Sequence, residues 1–231
     1  AIVVIVGDTD RKGAERLASQ VVGKLPAGEP AARTPVVPAL TKPQEVRIFH
    51  PSAQTHVRLG EPGIRRGDPD YFTLYVGNHI LGGGGLVSRL FEEVREKRGL
   101  SYSVNSYFSP MVQEGPYTFG LQTRNDQVGE ALEVMRATLQ TFHDEGPTEK
   151  ELIAAKKNIT GGFPLRIDSN SKIAEYLGMI GFYNLPLDYL DTFNDKVTAV
   201  TREQIREAYQ RRVDPDNMVS IIVGGDEKDR Q

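Results

Sequence analysis

Five prolines fall between Leu25 and Pro43, at positions 26, 30, 35, 38 and 43, with alanines and a glycine among them. Each fixes its own φ and removes a backbone donor, so neither a helix nor a central strand can run through the stretch. It reads as an extended linker. A chain of 231 residues has room for one large domain or two small ones. The prolines divide it into a short piece over 1–26, a linker over 27–44 and a main domain over 45–231.

The short piece opens with AIVVIVGD. Ile2–Val6 is a continuous apolar, β-branched run, the pattern of a buried strand. Asp8, Thr9 and Asp10 then offer capping oxygens. Ala14, Leu17, Ala18, Val21 and Val22 recur at helical spacing and predict one buried face. Neither an initiator Met nor a basic leader precedes the strand, so the piece reads as the tail end of a truncated first half. MVSIIVGGD, starting at Met218, echoes this opening, as if each copy were the last strand of one of two related halves.

In the main domain, Glu45–His50 and Gln54–Leu59 read as short strands, Arg65–Pro69 as a polar turn and Asp70–Ile80 as a helix along which Tyr71, Leu74, Tyr75 and His79 are spaced. A four-glycine turn, Gly82–Gly85, opens a helix over Val87–Arg98. Strands follow near Tyr102–Phe108 and Tyr117–Gln122. Val128, Ala131, Leu132, Met135, Leu139 and Phe142 mark an amphipathic helix that stops at Gly146. Thr148 with Glu151, and Thr201 with Gln204, have the spacing of capping boxes, and a further helix spans about Asn170 to Phe182. This order predicts an α+β fold: a mixed, largely antiparallel sheet with helices packed on one face, a two-layer sandwich. The Tyr117–Thr123 strand is the expected open edge, suited to taking an extended peptide as an added strand.

The segment LGGGGLVSRLFEEVREKRGLSY, Leu81 to Tyr102, carries the chemistry. Arg95 sits in a last helical turn and Tyr102 just past the Gly99 break, so a cation and a phenol reach the same edge of the fold. Such a pair suits a polarised carbonyl oxygen. Each residue also has an ordinary reading, Arg95 as a surface ion-pair partner of Glu92 or Glu96, and Tyr102 as a half-buried strand aromatic. Lys97 and Arg98 are helix-end cations opposing the dipole, and Gly99 is the residue that ends the helix. The glycine run lacks G-x-x-x-x-G-K-[ST] and any dinucleotide-binding context, so it reads as a turn rather than a phosphate cradle.

LGGGG, SRLFEEVREKRGLSY and the later EKELIAAKKNITG resemble the C-terminal, non-zinc half of the pitrilysin/insulinase-type metallopeptidases, in particular bacterial proteins similar to mitochondrial processing peptidase. The resemblance implies a processing-peptidase-like half in which Arg95 and Tyr102 match the family's Arg and Tyr, seven residues apart. Their implied role is to bind peptide substrate and stabilise the tetrahedral intermediate. Gly82, Gly83, Gly84 and Gly85 match a mobile, substrate-binding glycine segment, and Gln54 is a fold marker. The family holds zinc through an inverted H-x-x-E-H motif in its first half, and no such motif occurs in this chain. The implied zinc therefore belongs to a partner half or homologous subunit, and this chain is inactive alone. Loss of the zinc motif also fits a second reading, a structural or interaction subunit of the same fold.

Other classes are less well served. His50, His56, His79 and His143 have no metal-ligand spacing, so no metal site is expected here. A net charge of −3 offers no basic footprint for nucleic acid. No apolar run reaches the length of a membrane span. The absence of cysteine excludes disulfides and thiolate sites but leaves a bacterial periplasm and cytoplasm equally open.

Overall fold

The computed structural model describes residues 1–225. Asp226, the last residue of the echoed MVSIIVGGD, and the end of the 45–231 domain lie outside the described residues. Five strands form one sheet in the order β1-β5-β2-β4-β3. They are β1 (Gln44–Phe49), β2 (Ser52–Pro62), β3 (Val104–Phe108), β4 (Pro116–Arg124) and β5 (Val219–Gly225). Only the β1–β5 pair is parallel; β5–β2, β2–β4 and β4–β3 are antiparallel. This is the mixed, largely antiparallel sheet expected from the sequence.

Period-two alternation decides which face is buried. Ile222, Val57, Leu121 and Val104 stand in one row across the sheet, and Ser220, Leu59, Phe119 and Ser106 in the next. All eight are buried. The other face carries exposed Gln54, His56, Arg58 and Gln122. Helices cover the apolar face. In α3 (Val128–Glu145) the buried side is Ala131, Met135, Leu139 and Phe142, and α7 (Arg202–Arg212) adds Ile205, Ala208 and Tyr209. The remaining helices of the main domain are α2 (Tyr71–Asn78), α4 (Glu149–Gly162), α5 (Asn170–Phe182) and α6 (Tyr189–Ala199). Both capping boxes are formed, at Thr148–Glu151 and Thr201–Gln204. Helix α6 is absent from the sequence reading, because its buried Tyr189, Phe193 and Val197 are only three anchors among Asp, Asn, Lys and Thr.

Four expectations need correction. Ile2–Val6 is not a strand, and Ile2 and Val3 are exposed. The echoing run in β5 lies between β1 and β2, whereas Ile2–Val6 pairs with no strand among the described residues. Helix α1 (Arg11–Val22) forms and is capped by Asp10, which accepts from Gly13 N–H at 2.7 Å, but its apolar face is not buried. Ala14, Ala18 and Val22 are only partly buried, and Val21 is 70 % exposed. The Tyr117–Thr123 strand is not an edge, since β4 is hydrogen-bonded on both sides by β2 and β3. The free edges belong to β1 and β3.

The fourth concerns the glycine run, which continues α2 instead of opening a helix. His79–Gly83 form a π-helical turn, Gly85–Val87 a 3-10 turn, and helix resumes only at Arg89. Ser88, with ψ 154°, starts that helix by accepting from Phe91 N–H at 3.4 Å. Phe91–Glu96 is π-helical.

Residues 26–43 contain no helix or strand, as their prolines dictate. Gln113 donates to Thr34 O at 3.0 Å and Asn217 to Leu40 O at 2.7 Å, which ties the stretch to the main domain.

Candidate functional site

A groove of about 620 Å³ runs between edge strand β3 and the helical layer. Arg95, Tyr102, Gly82, Gly83 and Gly85 line it, so most of the residues singled out from the sequence share one cavity. Gly84 does not line it; it backs onto His79 instead, whose carbonyl oxygen is 2.5 Å from where a Cβ would stand.

Arg95 is positioned by rings. Its guanidinium carbon is 4.7 Å from the Phe91 ring centroid and 4.6 Å from that of Tyr102. Phe91 is buried while Tyr102 is 82 % exposed, so the stack runs from core to solvent. Gly99 makes this possible. At φ +64° it ends the π-helical segment, with its N–H on Arg95 O and Leu100 N–H on Val94 O, and turns the chain back so that Tyr102 meets Arg95. The one ion pair to Arg95 among the described residues is Glu96 at 3.9 Å, too long to occupy its donors. Lys97 and Arg98 pair with Glu93 at 2.6 and 2.7 Å on the outer surface, as their helix-end position implies.

The glycines allow a close approach. Asn78 Nδ2 donates to Ser106 O at 2.9 Å, and Ser106 Oγ donates to Asn78 Oδ1 at 2.7 Å, clasping the end of α2 to β3. A Cβ on Gly82 would collide with Ser106 Oγ and stand 2.7 Å from Ser106 N and from Leu90 Cδ1. Gly85, at φ +62°, makes the left-handed turn into the next helical segment.

Arg89 sets the far side of that helix. Its Nε and Nη2 grip Glu151 at 2.6 and 2.7 Å, and Nη2 also reaches Gly146 O at 3.1 Å. Burial opposes the charge on Glu151. Arg89, together with the Thr148 hydroxyl and backbone N–H, outweighs that and draws its pKa down to about 2.

Sequence reasoning missed the other end of the groove. Tyr71, Tyr75 and His79 lie at i, i+4 and i+8 along α2 and its π-helical extension, and Arg66 and Arg166 join them in the lining. The 71/75/79 spacing was visible, but it overlaps the spacing of core positions. Arg166 follows no periodic pattern.

Zinc does not fit this groove. Its charged lining residues are Arg66, Arg95 and Arg166, with one histidine and no carboxylate, which would repel a dication. Among the described residues no group of three or more His, Cys, Asp or Glu could hold a metal, and no helix is long and apolar enough to cross a membrane.

The open five-stranded sheet with helices on its apolar face defines an α+β fold whose edge strand β3 borders a groove of cations and rings. The chain belongs to the peptidase M16 family: residues 1–159 match the model of the peptidase M16 inactive domain. A crystal structure of a peptidase M16 inactive domain from Pseudomonas fluorescens superposes with a TM-score of 0.88 and 42% identity, covering 95% of this chain and 52% of that one. A protein named an uncharacterized zinc protease from Streptomyces coelicolor is 29% identical over 237 residues, all of this chain and 51% of its own length. A Helicobacter pylori protein named non-peptidase homolog YmxG is 26% identical over 99% of this chain and 53% of its own. The chain thus spans about half the length of these curated relatives.

Proposed function

We propose that this chain is the substrate-handling half of a zinc metallopeptidase, inactive alone, that binds an extended peptide and holds the carbonyl oxygen of the bond being cleaved. The observation that carries this reading is the Arg95–Tyr102 stack, two donors with unspent hydrogen-bonding capacity on the wall of a groove beside a free strand edge. β3 offers its unpaired backbone groups to an extended peptide. Arg95 and Tyr102 then donate to the carbonyl oxygen as it gains negative charge. One such donor is worth about 2.7–4 kcal/mol of barrier. Zinc and its ligands come from a partner half or homologous subunit. Exposed Leu86, Val87, Tyr107, Met111 and Val112 near the groove offer apolar surface for that partner. The division into 1–26, 27–44 and 45–231 fits the same picture, with 27–44 as the connection between halves.

Mixing the chain with a zinc-bearing half and following cleavage of an unstructured peptide tests this. Arg95→Ala and Tyr102→Phe should each lower kcat by about 10²–10³-fold. Unchanged turnover in both variants removes the catalytic assignment.

The second reading, a structural or interaction subunit, is favoured by one observation, the non-peptidase name of the Helicobacter relative. A stable complex with no zinc-bearing member and no peptidase activity would support it.

A further inference from the structure

The end of the groove away from Tyr102 holds two cations with stacked rings between them. Arg66 Cζ is 5.5 Å from the Tyr71 ring and 5.3 Å from that of Tyr183. The Tyr71 and Tyr75 rings stack at 5.9 Å and 13°, and Arg166 Cζ is 5.9 Å from Tyr75. Neither Arg66 nor Arg166 has an ion-pair partner among the described residues. Burial works against the charge of Arg166, but attraction to Tyr75 and hydrogen bonds to Tyr75 and Tyr176 outweigh it and raise its pKa. Arg66 Nε and His79 Nε2 are both buried without a hydrogen-bond partner. Burial, and after it Arg166, lowers the pKa of His79 and favours the uncharged ring.

Two cations, unspent N–H groups and no acidic side chain in the lining make a cavity built for an anion. The aromatic rings hold each guanidinium by cation–π contact without neutralising it. A planar guanidinium matches a carboxylate bidentately.

We propose that the Arg66–Tyr71–Tyr75–Arg166 cluster is a carboxylate-binding subsite that selects peptides with an acidic group at a fixed distance from the bond held by Arg95 and Tyr102. The distance follows from the fold. Tyr102 precedes β3, whereas Arg66 N–H bonds Met111 O at 2.7 Å, just beyond the other end of β3. The 5-residue strand between them spans roughly 16 Å at about 3.3 Å per residue, and Ser103, Ser109 and Pro110 lengthen the path at its ends. An extended peptide therefore places its carboxylate at least about five residues from the carbonyl held by Arg95. The carboxylate is either an Asp or Glu side chain or the peptide's own C-terminus.

The inference rests on the peptide-binding reading above, and the test separates the two. Fluorescein-labelled, unstructured decapeptides of Ser, Ala and Gln are titrated against the chain by anisotropy. A single Glu is moved along the peptide, and every peptide is made with a free or an amidated C-terminus. One Glu position, or the free C-terminus, should bind about tenfold tighter than the all-Gln amide. Which of the two peptide sets shows the gain identifies the source of the carboxylate. Arg166→Gln, and Arg66→Gln with Arg166→Gln, should each erase the difference between the acidic and all-Gln peptides. Equal affinity for all peptides in the unaltered chain overturns the subsite but leaves peptide binding standing. A preference that survives Arg166→Gln also overturns it. Absence of binding by any peptide overturns both readings.

Discussion

The guanidinium carbon of Arg95 lies 4.6 Å from the centroid of the Tyr102 ring, and this contact joins the end of a π-helical segment to the chain entering β3. The two residues depend on it unequally. Arg95 has a second support in buried Phe91, while Tyr102 stands almost entirely in solvent.

That asymmetry separates stability from function. Tyr102→Phe keeps the ring and removes a hydroxyl with no hydrogen-bond partner among the described residues. In urea denaturation it should change stability by less than about 0.5 kcal/mol, as for other surface substitutions. Phe91→Ala, which empties a buried site, should cost about 3–5 kcal/mol. A loss of comparable size in Tyr102→Phe would show that the hydroxyl is part of the packing and not reserved for a ligand.

Gly82 tests the approach of the glycine segment to β3. A methyl group there meets Ser106 and Leu90, all within the buried clasp around Asn78. Gly82→Ala should destabilise the chain by about 1–3 kcal/mol through overpacking and speed hydrogen exchange at Ser106 N–H relative to the unaltered protein. Gly85→Ala, with open space around its Cβ but φ at +62°, should cost about 1 kcal/mol from backbone strain alone. Equal costs at the two positions would argue against the close approach at Gly82.

The sequence made the fold legible where periodicity and punctuation agreed. Thr148 and Glu151 announced a helix because the capping box is local, and β2 announced itself by alternation between Thr55, Val57 and Leu59. Strand neighbours are not local. β4 became an inner strand because β2 and β3 both pair with it, a fact no property of Tyr117–Thr123 encodes. Ile2–Val6 has the composition of a strand, but composition cannot supply a partner to pair with. At the site, Arg95, Tyr102 and the glycines were legible through the family resemblance. Arg66 and Arg166 were not: they reach the groove from segments far apart in the chain, and only tertiary packing brings them to Tyr71 and Tyr75.

The Arg89–Glu151 pair predicts an acid-sensitive link between the site helix and α4. The Glu151 carboxylate has its pKa drawn from 4.5 to about 2. A depressed carboxylate contributes stability that is fully present above its unfolded pKa and is lost as the pH falls through the folded one. The contribution should hold above pH 4.5 and disappear between pH 4.5 and 2. A tenfold change in acidity corresponds to about 1.4 kcal/mol, and solvent reaching the half-buried pair screens part of the attraction. Glu151→Gln should therefore lower stability by about 2 kcal/mol at pH 7 and by little at pH 2. Equal destabilisation at both pH values would mean that packing, not charge, holds the two helices together.

Glu61 acts in the opposite direction. It sits near the end of β2, and one carboxyl oxygen accepts from Asp214 N–H at 3.2 Å while the other is buried without a partner. Burial raises its pKa from 4.5 to about 8. The Asp214 N–H bond opposes the rise, and the Asp214 carboxylate adds to it. For an acid whose pKa is raised, stability is greatest below the unfolded pKa and declines as the pH climbs toward the folded one. The chain should lose stability between pH 4.5 and 8 through this residue. Glu61→Gln keeps an acceptor for Asp214 N–H and cannot ionise. Thermal melts should place the variant level with the unaltered chain at pH 4.5 and above it at pH 8, by at least about 1 kcal/mol. A variant less stable than the unaltered chain at pH 8 would show that Glu61 is held there as a useful anion, with a cationic partner closer than any now seen beside it.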